Sequence, residues 1–184
     1  MGQQIVIPRA ETAYVHVFKA QPPMQEGKEP QFSATFIWDA DSPKLDKLRQ
    51  AILEVAEEKW GKKAKDMLAK GQLKSPLRDG EEKEEAKDAE MYEGKVFLKA
   101  SSTDRPQVVD KELEEIIDKF EVYSGCIARG DIWLFPYDKA GNKGVGAILN
   151  SFQKLDDGER RSGRRSAEDA FADEEDEAEE DDLV

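Results

Sequence analysis

One cysteine and one histidine in 184 residues leave little material for thiol, imidazole or zinc chemistry. Cys126 has no partner for an internal disulfide, which fits a reducing compartment and points to a cytoplasmic protein. His16 and Cys126 stand far apart with no accompanying signature, so a Cys/His nucleophilic pair is not indicated. Two potential ligands of different types also make a poor zinc site. The chain has no stretch of eighteen apolar residues, so no transmembrane helix and no membrane partner are expected. Met1 to Arg9 lacks a basic segment followed by an apolar run, and secretion is not expected either. Gly141-Asn-Lys-Gly-Val-Gly146 has neither phosphate-loop spacing nor a following helix, and reads as a turn. The acids of the body form no compact two-metal motif. Together these absences predict no catalytic residue, no metal and no cofactor; the chain is not expected to be an enzyme.

Positive charge is missing from one end. Ser166 to Val184 contains no Lys or Arg but eleven acids: Glu168, Asp169, Asp173, Glu174, Glu175, Asp176, Glu177, Glu179, Glu180, Asp181 and Asp182. Setting those eleven aside brings the net charge from −13 to −2, with all 28 basic residues in the remaining body. Whole-chain charge therefore says little about what the body binds; its distribution decides. From Asp156 onward no periodic apolar pattern remains, and Arg160-Arg161-Ser-Gly-Arg164-Arg165 precedes the acidic run. Such a run cannot bury enough apolar surface to offset its chain entropy. The expected organisation is a folded body over 1–157 and a disordered tail over 158–184.

Within the body, Ala13 to Lys19 and Gln31 to Trp38 read as a strand pair, joined by the proline- and glycine-containing loop from Gln21 to Pro30. Ser42 and Pro43 mark a helix start, and Leu45, Leu48, Ile52, Val55 and Ala56 recur at helical spacing up to Trp60-Gly61. A weaker helix is predicted over Lys62 to Lys70. Leu77-Arg-Asp-Gly80 is a turn signal, and Glu81 to Glu90 a charged loop. Three more strands follow: Lys95 to Ser101, Val122 to Tyr137 with a break near Gly130, and Gly144 to Lys154. Lys111 to Phe120 is a short helix or a surface loop, and Asp138 to Asn142 a hairpin loop. The pattern is mainly β, five strands with a helix between the second and third, which a five-stranded OB barrel accommodates; mixed β architectures match it too.

Successive side chains of a strand point to opposite faces. Over Lys95 to Ser101, Val96, Leu98 and Ala100 form a core face, while Lys95, Phe97, Lys99 and Ser101 share the solvent face. An aromatic flanked by two lysines suits base stacking beside phosphate-binding cations; the alternative is an ordinary solvated strand with one exposed ring. Tyr123, Ile127, Arg129, Asp131, Trp133, Phe135 and Tyr137 share one parity if no bulge intervenes. Trp133 and Tyr137 are either stacking residues or barrel core, and Arg129 is a reasonable phosphate contact. Tyr14, His16 and Phe18 share another face, opposite Val15 and Val17. Arg105, Lys139 and Lys143 lie in loops where they either clamp a backbone or solubilise the surface.

The ordered phrases are specific in combination. Leu77-Arg-Asp-Gly80, Lys99-Ala-Ser-Ser102 leading to Arg105-Pro106 and Val109-Asp110, and Glu121-Val-Tyr-Ser-Gly-Cys126 come first. Gly141-Asn-Lys-Gly-Val145, Leu149-Asn150, Gln153-Lys154 and Ser166-Ala-Glu-Asp169 with Phe171 follow. In this order the chain resembles the phage-encoded single-stranded DNA-binding proteins that combine an OB fold with an acidic C-terminus. The resemblance implies an OB fold, sequence-independent binding of single-stranded DNA and a role in phage DNA replication, recombination or repair in the cytoplasm of a bacterial host. It carries no ligand list. The expected DNA contacts, Lys95, Phe97, Lys99, Arg105, Arg129, Trp133, Tyr137 and Lys143, rest on strand parity and charge. The tail, Asp173 to Asp182, is expected to compete with DNA and to recruit a polymerase, helicase or nuclease. Homo-oligomerisation is left open. The competing reading is an acidic protein-interaction module, a DNA mimic or a chaperone for basic proteins.

Overall fold

The structure, a computed structural model, describes residues 2–23, 26–83, 89–161 and 171. Its long strands are those with alternating apolar side chains: Ala10–Gln21 (β2), Gln31–Asp39 (β3), Lys95–Ser102 (β5), Ile127–Lys139 (β7) and Asn142–Asp156 (β8). Short strand Gln3–Val6 (β1) precedes them, and Leu77–Asp79 (β4) and Gln107–Val109 (β6) lie between them. β2 pairs with β3, β3 with β5, and β7 with β8, all antiparallel. β5 meets β8 in parallel at Ser101 and Ile148, and β7 returns to β2 at Ala128 and Ala10. The circuit β2-β3-β5-β8-β7 is therefore closed. A five-stranded barrel closed in this order is an OB fold.

The first two long strands form the expected hairpin. The expected break near Gly130 is absent: β7 runs unbroken, and the ring of Phe36 lies against Gly130. The register shifts fall opposite it, where β8 carries Asn150 and Leu155 as extra residues. β7 also begins at Ile127 rather than Val122. The 139–142 hairpin closes on Ala140 and Gly141, both at positive φ, a two-residue turn whose twist suits the strands it joins.

Inside the ring lie Phe36, Trp38, Leu98, Ala100, Ile132, Leu134, Leu149 and Phe152. Asp46–Trp60 (α1), preceded by a 3-10 turn over Pro43–Leu45, adds Leu48, Ile52, Val55 and Ala56 to the same core. Pro43 sits in the first turn as expected, but the Ser42 side chain makes no capping bond. Gly61, at φ 67, ends α1, and Ala64–Ala69 (α2) realises the weaker helix. Ala89–Tyr92 (α3) is a single turn before β5. The segment 111–120 is a surface loop, held by Asp110, whose Oδ1 accepts from the Glu112 and Glu114 amides.

Among the described residues no helix is long and apolar enough to cross a membrane. The packed chain continues past residue 157 to Arg161. The Arg161 amide donates to the Ser124 carbonyl at 2.8 Å, and its guanidinium pairs with Glu11. The acidic residues Asp173, Glu174, Glu175, Asp176, Glu177, Glu179, Glu180, Asp181 and Asp182 lie outside the described residues.

Candidate nucleic-acid interface

β2 carries a bulge at Tyr14, whose φ is 49. The extra residue leaves Tyr14 exposed and His16 half-buried on the outer side, while Val17 is buried and Val15 and Phe18 pack, partly buried, against the core. Against this outer edge runs the loop 119–124, and the two enclose a shallow groove of about 320 Å3 lined by His16, Phe18, Lys119, Phe120, Tyr123 and Arg160. Phe120 is 50% exposed. A second depression shares Gln21 with it and holds Lys99 beside Lys28, Gln31 and Ser33, under the loop that joins β2 to β3. Arg105 reaches back over the Phe18 ring at 5.9 Å. Rings and cations thus alternate along one edge of the sheet. That arrangement offers π-faces to bases and point charges to phosphates without reading sequence.

The His16 pKa is lowered, first by burial and then by the positive charge of Lys99. Because the folded value lies below the unfolded one, the unfolded chain takes up the proton first. His16 therefore favours the fold above the unfolded value of about 6.5 and loses that contribution as pH falls through it. A phosphate settling beside Lys99 reverses the electrostatics and favours the protonated ring. Affinity for an oligonucleotide should accordingly tighten as pH falls through the range in which His16 takes up its proton, and His16→Gln should flatten that dependence. Identical pH profiles for the two proteins exclude His16 from the interface.

Three expected contacts fall elsewhere. The odd residues of β5 face outward as parity requires, yet Phe97 is only 3% exposed and is not an open stacking platform. Tyr92 of α3 packs against its ring at 4.8 Å, and Arg78 of β4 and Lys83 lie over it at 5.3 and 5.7 Å. Together with Ala13 and Ile37 it makes a small second core outside the barrel. Strand parity assigns the face correctly but cannot see a neighbouring segment that covers it. Lys95 is engaged in an ion pair with Asp39, directly opposite it on β3. Arg129 is exposed, and its Nε donates to Gln153 Oε1 at 2.7 Å. Lys99 and Arg105 are brought together with His16; Lys95, Phe97 and Arg129 are not.

Trp133 and Tyr137 resolve to the outer face of β7, half-buried beside Phe135, and are not barrel core. Opposite them on β8 stand Ile148, Gly146 and Gly144. The Phe135 ring lies across Gly146 so closely that a Cβ there would meet it at 2.5 Å. Missing side chains on one strand thus let the rings of the other form a low shelf. Lys143 and Lys139 flank it at the hairpin.

Three groups in and around the candidate interface escape sequence reasoning. Lys119 and Phe120 sit in a segment with no periodic pattern. Arg160, in the basic stretch before the tail, stacks on Tyr123 at 4.3 Å. Arg78 reads only as part of a turn. The folding-back of 157–161 depends on Tyr123, whose hydroxyl contacts Asp157 Oδ1 at 3.1 Å and accepts from the Gly158 amide at 3.0 Å. Cys126 is buried and bonded to Thr12, and burial pushes its thiol up in pKa, the opposite of an activated nucleophile.

Residues 3–184 match the family model described as Enterobacter phage Enc34, ssDNA-binding protein. Protein p50 of Acyrthosiphon pisum secondary endosymbiont phage 1 is 32% identical over 124 residues. That match spans 65% of each chain, just under two thirds of the relative's length. The single-stranded DNA-binding protein of bacteriophage Enc34, solved in complex with ssDNA, superposes with a TM-score of 0.70 at 24% identity, over 86% of this chain and 89% of that one. Another structure of that Enc34 protein gives a TM-score of 0.65 at 25% identity, over 91% and 89%. Gp2.5, a single-stranded DNA-binding protein of bacteriophage T7, gives 0.62 at 15% identity, over 96% and 97%, a likeness of fold.

Proposed function

This chain belongs to the family of the Enterobacter phage Enc34 ssDNA-binding protein, and on that footing we propose that it binds single-stranded DNA without sequence preference during phage replication, recombination or repair. The observation that carries the reading is the convergence of Lys99, Arg105, His16, Phe120 and Tyr123 on the sheet edge beside the β2–β3 loop. OB folds use the face of their second and third barrel strands, with the loops at either side, for oligonucleotides. Here those strands are β3 and β5, and the flanking loops are 22–30 and the 139–142 hairpin with its Trp133, Tyr137 and Lys143 shelf. On that face Lys95 is paired with Asp39 and Phe97 is covered by Tyr92 and Arg78, and Arg129 stands apart from it. The chain acts as a binding protein and not as a catalyst, in keeping with the inert surroundings of Cys126.

The acidic residues from Asp173 to Asp182 are a tethered polyanion in the same molecule as a cationic groove. Tethering holds their effective concentration near the millimolar range, enough to compete with weakly bound DNA. Released from the groove, the tail is free to recruit a replication protein such as a polymerase, helicase or nuclease.

Binding of a labelled oligonucleotide, challenged with unlabelled duplex, tests the first part. Single-stranded DNA should win, and log affinity should fall with log salt by about 0.7 for each phosphate neutralised. Changing the acids of 173–182 to their amides should tighten binding, most at low salt. Unchanged affinity in that variant removes tail competition. Affinity for basic proteins with none for DNA would favour the acidic interaction module instead.

A further inference from the structure

The positive excess of the body is concentrated outside the groove. Residues 43–74, which hold both α1 and α2, carry nine Lys or Arg against five Asp or Glu, whereas residues 1–165 as a whole are at −2. The bias sharpens from the last turn of α1 onward: Lys59, Lys62, Lys63, Lys65, Lys70 and Lys74 stand against a single acid, Asp66. These lysines are exposed; Lys70 pairs with Asp66 at 2.9 Å, and Lys59 lies 5.9 Å from the Trp60 ring centroid. Nothing in the barrel's packing calls for such a run, since α2 sends only Ala64 fully into the core.

Its place in the fold gives it a direction. The Lys74 amide donates to the Lys143 carbonyl at 3.0 Å, and the Val145 amide donates to the Lys74 carbonyl at 2.9 Å. The chain leaving α2 is thereby stitched to β8 beside the Tyr137 shelf. Three residues later it becomes β4, which lays Arg78 over Phe97. One segment thus joins the lysine run, the 139–142 hairpin and the outer face of β5.

We infer that the end of α1, α2 and the turn between them form a second, phosphate-tracking site, over which single-stranded DNA continues after leaving the barrel face. The inference rests on the proposed DNA binding and extends it. Lysines suit the task because a compact ammonium on a flexible stem follows a phosphate chain without the fixed geometry of a guanidinium fork. An OB fold alone covers roughly 4–16 nucleotides, so the second site matters only for DNA longer than the barrel face.

The test is the full chain with Lys62→Gln, Lys63→Gln and Lys65→Gln together, measured on oligonucleotides of about 8 and about 30 nucleotides. For the longer DNA the salt slope should fall by about 2, three contacts at about 0.7 each, and affinity at low salt roughly tenfold. The shorter DNA should bind unchanged. An unaltered slope on the longer DNA overturns the inference. So does an equal change at both lengths; if that change vanishes once the tail acids are amides, the patch holds the tail and not DNA. Failure of the unsubstituted chain to bind either oligonucleotide defeats the underlying function itself, and loss confined to the longer DNA cannot be mistaken for it.

Discussion

Phe97→Ala should lower the stability of the barrel by about 3–5 kcal/mol, the usual range for emptying a buried phenylalanine site. The ring fills the small core between β5, α3 and β4, with Tyr92, Ile37 and Ala13 around it. No backbone shift can fill the space cheaply, because the Tyr92 carbonyl already abuts Gly80 closely enough to exclude a Cβ there. Thermal melting reads the loss directly. Measured well below the melting point, affinity for single-stranded DNA should stay within about twofold, since the ring offers no open face to a base. A variant that melts like the parent but binds DNA many-fold more weakly would return Phe97 to the interface.

The opposite pattern is expected of Phe120→Ala combined with Lys99→Gln. Both side chains are exposed, so melting should hardly move. Losing one stacked base removes about 1–3 kcal/mol, and losing one phosphate contact flattens the salt slope by about 0.7. Affinity should therefore fall between roughly fivefold and a few hundredfold, read by fluorescence anisotropy at low and moderate salt. Parental affinity and slope in the double variant would place the DNA on some other face. Taken with Phe97→Ala, the two results separate a ring that supports the surface from a ring that is part of it.

The difference between those two phenylalanines marks how far the sequence can be read. Period-two alternation is a local property, and it locates the long strands, apart from the start of β7 and the expected break at Gly130, and the inward face Val96, Leu98 and Ala100 of β5. It also assigns Trp133 and Tyr137 to one face, leaving open only whether that face is core. The covering of Phe97 is not local: Arg78 and Tyr92 come from segments that precede β5 and have no strong pattern of their own. The pairing of Lys95 with Asp39 depends on the β3–β5 register, which no single strand reveals. Phe120 and Arg160 become neighbours of His16 only because the 110–126 loop and the 157–161 return pack along β2. Charge division of the chain was legible from composition, whereas the stitching of Lys74 to β8 needed the tertiary fold.

The closure of the ring between Ala10 and Ala128 has a consequence for how the protein is made. A ribosome adding about 5–20 residues per second needs roughly 6–24 s to pass from the first of these positions to the second. Through that interval β1 and the outer edge of β2 have no partner strand, although the β2–β3 hairpin and α1 are complete once residue 60 has been added. Folding therefore waits on translation: the newborn N-terminal half exposes an unpaired strand edge, and the final hairpin, β7 with β8, arrives as the stave that shuts the barrel.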